Sequence, residues 1–341
     1  MHTSIYATNL TKGIFMTHVA VVVGINHYSH TKRLEASVKD AKNVARLLER
    51  HGDKTSNFEV IELYGNSPET PVTRAQVRAN LRKIFAGENE TAIFYFSGHG
   101  ALTESGGAII CSDSETADDG IKLDEVIALV NASTITNKII ILDCCRSGAA
   151  GNAPLLGGVT TLPHGLTILA ASTEDQLAYE TNAGGVFTNL LCDALEGAAA
   201  NLKGEITPGS IYAHIDQSLG NIDQRPVFKT SVQRFVSLRR VAAPVPYEDL
   251  LDLTELFPDP QQPLQLGPEF EPKRPIAGYD DIPDPDPEKT KKFAALQRLN
   301  RVNLVVPQGA LHMFDAAMGK KHAALTTLGH HYWRLVKTKR I

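Results

Sequence analysis

The chain has 341 residues, 43% hydrophobic and 21% charged, with a formal net charge of −4. That supplies a sizeable core and gives no global reason to expect a nucleic-acid partner. Cys111, Cys144, Cys145 and Cys192 form no CxxC pair and no disulfide framework. No apolar run approaches the ~20 residues of a membrane helix, and the first residues lack the charged, apolar and cleavage regions of a signal peptide, so none is expected. A cytoplasmic, reducing setting is expected, where a thiol is free to act as a nucleophile.

Met16 stands just before the first strand-like run, so residues 1–16 are set apart as an N-terminal extension. Residues 17–243 then alternate strand and helix signals. Val19–Val23 is a β-branched run, followed by helical spacing through Val38, Ala41, Val44, Ala45, Leu47 and Leu48. Phe58–Leu63 reads as a strand and Thr73–Phe85 as a helix capped by Thr73. Further strands are expected at Ala92–Phe96, Ala108–Cys111, Lys138–Leu142, Leu166–Ala170 and Arg234–Leu238. Helices are expected at Leu123–Val130, Val186–Leu195 and Ile211–Leu219. Continuously apolar strands separated by helices imply an α/β fold with a mostly parallel central sheet and helices on both faces. Ligands bind such sheets beyond the carboxyl ends of the strands.

Composition then changes. Pro244–Glu288 holds eleven of the eighteen prolines and twelve acids against two bases, a formal charge of −10. Residues 244–288 therefore read as an extended acidic linker. Residues 289–341 reverse the sign, with eleven Lys or Arg against Asp315, a charge of +10. Apolar spacing at Phe293, Leu296 and Leu299, then at Leu311, Phe314 and Met318, suggests a small, mainly helical domain, with a winged-helix-like arrangement as one it would suit. Its charge would fit nucleic acid. The preferred reading is that it docks a protein partner or folds against its own acidic segment, with Tyr332 and Trp333 in its core. His312, His330 and His331 show no metal-ligand spacing and read as surface residues.

Two positions carry chemistry. Cys145 follows a buried strand and precedes the small residues Ser147–Gly151, which leave a thiol open at a strand end. His99 lies between Gly98 and Gly100, which would allow a tight turn and close approach by a peptide. A thiol nucleophile needs a base and oxyanion donors. The base would be His99, and the donors the N–H groups of Gly100 and Cys145.

At these residues a family resemblance emerges. Tyr95-Phe96-Ser97-Gly98-His99-Gly100 resembles the histidine motif of the caspase superfamily. Ile141-Leu142-Asp143-Cys144-Cys145-Arg146-Ser147-Gly148 resembles its cysteine motif in the metacaspase and bacterial form. Val21–Ile25 with Asp40-Ala41, and Gly185-Val186-Phe187-Thr188, extend the likeness over about Val19 to Leu238. The resemblance implies a cysteine endopeptidase with no organic cofactor, in which Cys145 rather than Cys144 is the nucleophile. It also implies that Asp40, Asp143 and Ser97 line a pocket for Arg or Lys before the cut. Asp113, Asp124 and Glu125 fall roughly where some relatives bind calcium. Bacterial homologues with appended modules imply a regulated role in defence or cell death. Ser147–Leu202 contains no Lys or Arg, so a basic-specific enzyme cannot mature by cutting itself there. Arg146, Lys203, Arg239 and Arg240 remain as other places to be clipped, and Lys273-Arg274-Pro275 resembles a poor substrate or tethered inhibitor.

Overall fold

A computed structural model describes residues 18–103, 106–146, 162, 164–171, 185–220, 226–232, 234–273 and 282–341, with backbone alone at Cys145 and Arg146. The N-terminal extension, the run Ser147–Gly151 and the Arg274-Pro275 pair lie outside these residues. The chain divides into two compact units, Met1–Ala199 with Ile206–Val241, and Ala200–Glu205 with Ala242–Ile341.

In the first unit the elements in chain order are β1 (His18–Ile25), α1 (Ser37–Glu49), β2 (Glu59–Gly65), α2 (Arg74–Ala86) and β3 (Thr91–Thr103). Then come β4 (Gly106–Ile109), β5 (Ile121–Lys122), α3 (Leu123–Ala132), β6 (Asn137–Arg146) and β7 (Leu166–Ala170). α4 (Val186–Asp193) runs into a π-helical turn, Ala194–Ala198, and is followed by β8 (Glu205–Ile206), α5 (Pro208–Leu219), β9 (Val227–Thr230) and β10 (Arg239–Arg240).

The main sheet has the order β2-β1-β3-β6-β7-β9. Neighbours are parallel from β2 through β7, while β9 closes the edge antiparallel. β1 and β3 are adjacent in space but separated in sequence by β2 and two helices, so the winding direction changes between them. Their carboxyl ends therefore border the crevice where such folds bind ligands. The valines of β1 and the run Phe94-Tyr95-Phe96 are buried because helices cover both faces of the sheet. Thr73 caps α2 through a reciprocal box with Gln76, as its position before the helix predicts.

Two local expectations fail. The last short strand, expected at Arg234–Leu238, is β10 (Arg239–Arg240), paired with β8 outside the main sheet, and the main sheet closes on the unexpected Val227–Thr230. The latter is a four-residue edge strand that is only partly buried, so its alternation is too short to stand out. β3 also continues straight through Gly98-His99-Gly100 to Thr103, pairing with β4 beyond, so the glycines make no turn.

In the second unit, α6 (Tyr247–Leu251), α7 (Leu253–Leu256), β11 (Leu264–Gln265) and a 3-10 turn at Pro268–Phe270 lie within the segment expected to be a linker. After them come α8 (Pro287–Arg301), β12 (Val305–Gln308), α9 (Met313–Met318), β13 (His322–Leu325) and α10 (Thr327–Lys337). β11, β13 and β12 form a three-stranded antiparallel sheet that helical spacing alone did not foretell. The linker boundary at 244–288 is corrected, because Leu250, Leu253, Phe257, Leu266 and Phe270 share one core with Phe293, Leu296 and Leu299. Prolines cut that segment into short pieces, which hides the helical period. Its acids are used internally: Asp249 accepts two bonds from Arg298, at 2.5 and 2.8 Å, and Glu269 pairs with Lys289 at 2.9 Å. Tyr332 and Trp333 pack on this core, and the Trp333 indole donates to the Phe257 carbonyl. The basic segment thus does fold against the acidic one. Leu311, expected on a helix with Phe314, precedes α9 and is 88% exposed.

Candidate active site

β3 and β6 run side by side in parallel register, with Ser97 opposite Asp143, Gly98 opposite Cys144, His99 opposite Cys145 and Gly100 opposite Arg146. Adjacent strands lie about 4.8 Å apart, so the backbones of His99 and Cys145 are neighbours although 46 positions separate them in sequence. On the other side of β3, Ser97 pairs with Gly24 of β1. Cys144 is buried in the apolar core, the place expected for the neighbour of a nucleophile.

His99 is only 5% exposed and is held from three directions. Its Nε2 lies 2.7 Å from the Lys32 carbonyl. A carbonyl can only accept, so Nε2 carries the proton in the neutral ring, and Nδ1 is the basic nitrogen. The His99 N–H donates to the Tyr28 hydroxyl at 2.8 Å, while the Tyr28 and His99 rings pack at 4.7 Å between centroids. Ile110 N–H bonds the His99 carbonyl at 2.9 Å. Gly100, opposite Ile109 and one step past that bond, is a non-hydrogen-bonded position of the hairpin, so its N–H is directed away from β4.

Gly98 has a different task from the turn expected of it. A Cβ there would come within 2.9 Å of the Phe96 ring and closer still to the Tyr28 hydroxyl, so only glycine admits Tyr28 against the histidine. Tyr28 and the Lys32 carbonyl are the parts of the site that sequence reasoning missed. Both lie in the loop after β1, and their one sequence signal was proximity to the Val21–Ile25 motif. Asn26 anchors this loop: its side chain accepts from Val38 N–H and donates to Glu35 O and Asn66 Oδ1.

The acids meet on the sheet face that His99 shares, since register partners and alternate residues point the same way. Asp40 on α1, Asp143 on β6 and Ser97 on β3 are all buried. Asp40 Oδ2 accepts the Gly185 N–H at 3.0 Å. A Cβ on Gly185 would sit 2.9 Å from Asp143 Oδ2 and 3.2 Å from Asp40 Oδ2, so both carboxylates converge beneath this glycine at the start of α4. Burial raises the Asp143 pKa above the ordinary aspartate value, and a hydrogen bond from Thr188 works against that shift. Burial, with Asp40 nearby, pushes the Cys192 thiol up to about 12, so it stays neutral.

The calcium candidates are arranged otherwise. Asp113 accepts the Arg74 backbone N–H at 2.9 Å and pairs with its guanidinium. Glu125 takes Arg78 in a fork at 2.8 and 3.0 Å, and Asp124 is exposed. The three are not gathered around one point, and among the described residues no group of three or more His, Cys, Asp or Glu is placed to hold a metal ion. A cation would have to compete with two guanidinium groups for the same oxygens. His312 and His331 are exposed and His330 is half-buried.

A parallel sheet carrying histidine and cysteine at neighbouring strand ends defines a class, and comparison with known families agrees. The caspase domain model matches residues 17–236, and the chain belongs to that family. It is 29% identical over 189 residues to metacaspase-1 of Cryptococcus neoformans, an alignment covering 52% of this chain and 38% of that protein. Metacaspase-1 of Kluyveromyces lactis is 22% identical over 234 residues, covering 61% and 48% respectively. The chain thus spans less than half the length of these curated relatives. A crystal structure of a Geobacter sulfurreducens protein superposes with a TM-score of 0.48 at 18% identity, covering 64% of this chain and 95% of that one. Among the described residues, no helix is long and apolar enough to cross a membrane.

Proposed function

We propose that this chain is a cysteine endopeptidase that cleaves protein substrates after Arg or Lys. The observation that carries the reading is the convergence of Asp40 and Asp143 on Gly185, next to strand ends that bear His99 and Cys145 in register. A desolvated acid pair selects a guanidinium or ammonium strongly, because charge-assisted bonds in a buried pocket discriminate against a neutral side chain. In this mechanism His99 Nδ1 takes the Cys145 proton as sulfur attacks the scissile carbonyl. Nε2–H remains on the Lys32 carbonyl, which holds the tautomer and steadies the imidazolium. The Gly100 and Cys145 amides receive the oxyanion, His99 protonates the leaving amine, and water then hydrolyses the thioester. No organic cofactor enters these steps.

Wild type, Cys145→Ala and His99→Ala assayed on Arg- and Lys-aminomethylcoumarin peptides test this directly. Each substitution should lower the rate by at least ~10³-fold. Failure of wild type on basic and acidic substrate panels, with and without calcium, would point instead to an idle caspase-like scaffold acting through its second unit. With no Lys or Arg in Ser147–Leu202, active enzyme should stay uncut in that stretch on a denaturing gel. In the wider setting the peptidase is a cytoplasmic effector in a bacterial defence or cell-death system, with the second unit docking a protein partner. That placement is supported by the family resemblance and by the appended unit, and co-purification with the products of neighbouring genes would check it.

A further inference from the structure

The wall of the acid pocket contains a hydrogen-bond chain that the proposed chemistry does not use. Tyr95 on β3 and Thr188 on α4 are fully buried. The Tyr95 hydroxyl lies 2.7 Å from Thr188 Oγ1, and Thr188 Oγ1 donates to Asp143 Oδ2 at 2.5 Å. A threonine hydroxyl has one proton. Once that proton is given to a carboxylate, only lone pairs remain toward Tyr95, so the tyrosine must donate. The chain therefore runs from Tyr95 through Thr188 to an ionised Asp143, and it would reverse if Asp143 took up a proton.

Burial favours that reversal. Asp40 reaches the same space from α1 with a second carboxyl group. Cys192 of α4 presents a neutral thiol. Tyr95 of β3 is itself held neutral by burial, and Ser97 stands beside Asp143 in the strand register. Among these groups Thr188 alone donates to the Asp143 carboxylate, through its hydroxyl and through its backbone N–H, and the hydroxyl is the part a substitution can remove.

We propose that Thr188 is a specificity-positioning residue: relaying the Tyr95 hydroxyl to Asp143, it keeps that carboxylate charged and directed beneath Gly185, and so sets the affinity for a cationic substrate side chain. This rests on the reading of Asp40 and Asp143 as the pocket for Arg or Lys. Without Thr188, Asp143 would hold a proton to higher pH, and a cation would have to displace that proton to bind.

Thr188→Val, Thr188→Ser and Tyr95→Phe test the role. For each, KM and kcat/KM on an Arg-aminomethylcoumarin peptide are measured across pH, together with the rate at which iodoacetamide alkylates Cys145, followed by peptide mapping. Iodoacetamide reads the thiol but carries no cation for the pocket. Thr188→Val should raise KM about tenfold, the effect of losing one hydrogen bond to a charged group, and move the acid limb of kcat/KM up by about one pH unit. Thr188→Ser should restore both, Tyr95→Phe should move both in the same direction by less, and the alkylation profile should stay in place. An unchanged KM and acid limb in Thr188→Val overturns the proposal while leaving the pocket intact. So does an alkylation profile that shifts together with the substrate profile, since that would mean a general distortion. If Thr188→Val does not fold, the acid limb of Tyr95→Phe decides. Wild type that cuts after residues other than Arg or Lys overturns the pocket reading itself, and this role with it.

Discussion

Each unit buries an aspartate, and the two are treated in opposite ways. Asp249 in the second unit is 4% exposed and gripped by the Arg298 guanidinium through two bonds, and the carboxylate in turn raises the arginine pKa. Asp143 in the first unit is 8% exposed, yet its donors are the neutral hydroxyl and the backbone N–H of Thr188, and burial raises its pKa. Where the chain supplies its own cation, the acid is part of the architecture. Where burial is left to oppose the charge, the environment suits the cation that the proposed specificity would bring from outside, and perturbed groups are a mark of functional sites.

The sharpest way to break this comparison is to make the same substitution at both places. Asp143→Asn should lower kcat/KM on Arg substrates by ~30-fold or more, since truncating one side of a buried charge pair costs roughly 2–5 kcal/mol. It should leave thermal stability unchanged or raised, because a disfavoured charge is removed. Asp249→Asn should do the reverse, costing about 1–3 kcal/mol in the unfolding of the second unit by leaving Arg298 without its fork. Equal stability losses at both sites would dissolve the contrast.

A smaller effect appears in pH dependence. A carboxyl whose folded pKa is raised binds its proton more tightly folded than unfolded, so its contribution to stability falls as pH rises. For Asp143 the fall starts at the ordinary value near 3.8 and is complete once pH passes the raised folded value. Melting curves should show this loss in wild type and not in Asp143→Asn, and a guanidinium mimic such as benzamidine should reverse it. The smallest expected change concerns the base. Tyr28→Phe keeps the ring against His99 but removes the acceptor for the His99 N–H. A loss of about 1 kcal/mol, or roughly fivefold in kcat with KM little altered, is expected. A change confined to KM would assign Tyr28 to substrate binding instead.

Much of the first unit was legible in the sequence because its strands are written as local apolar runs. Lys138–Leu142 and Leu166–Ala170 stand out for this reason, and they lie where expected. The errors fall where local signals are weak or conflict. Val227–Thr230 is a short edge strand, and Gly98 and Gly100 look like turn residues inside a continuous strand. In the segment before Glu288, proline content and charge concealed Leu250, Leu253 and Phe257 at helical spacing. There, composition predicted an extended linker but packing against α8 won, because the opposite charges of the two segments cancel when they fold together.

The sequence alone determined the strand–helix alternation, the order of the histidine and cysteine motifs and the presence of acids at Asp40 and Asp143. Those follow from backbone periods and from side-chain chemistry, which are local properties. Only the tertiary structure decided that Tyr28 seats His99 across 71 positions, that Gly185 joins Asp40 across 145, and that Thr188 reaches Asp143 across 45. Such contacts exist only after the sheet register is set and a helix start has been brought over the strand ends. No short window of the chain contains them.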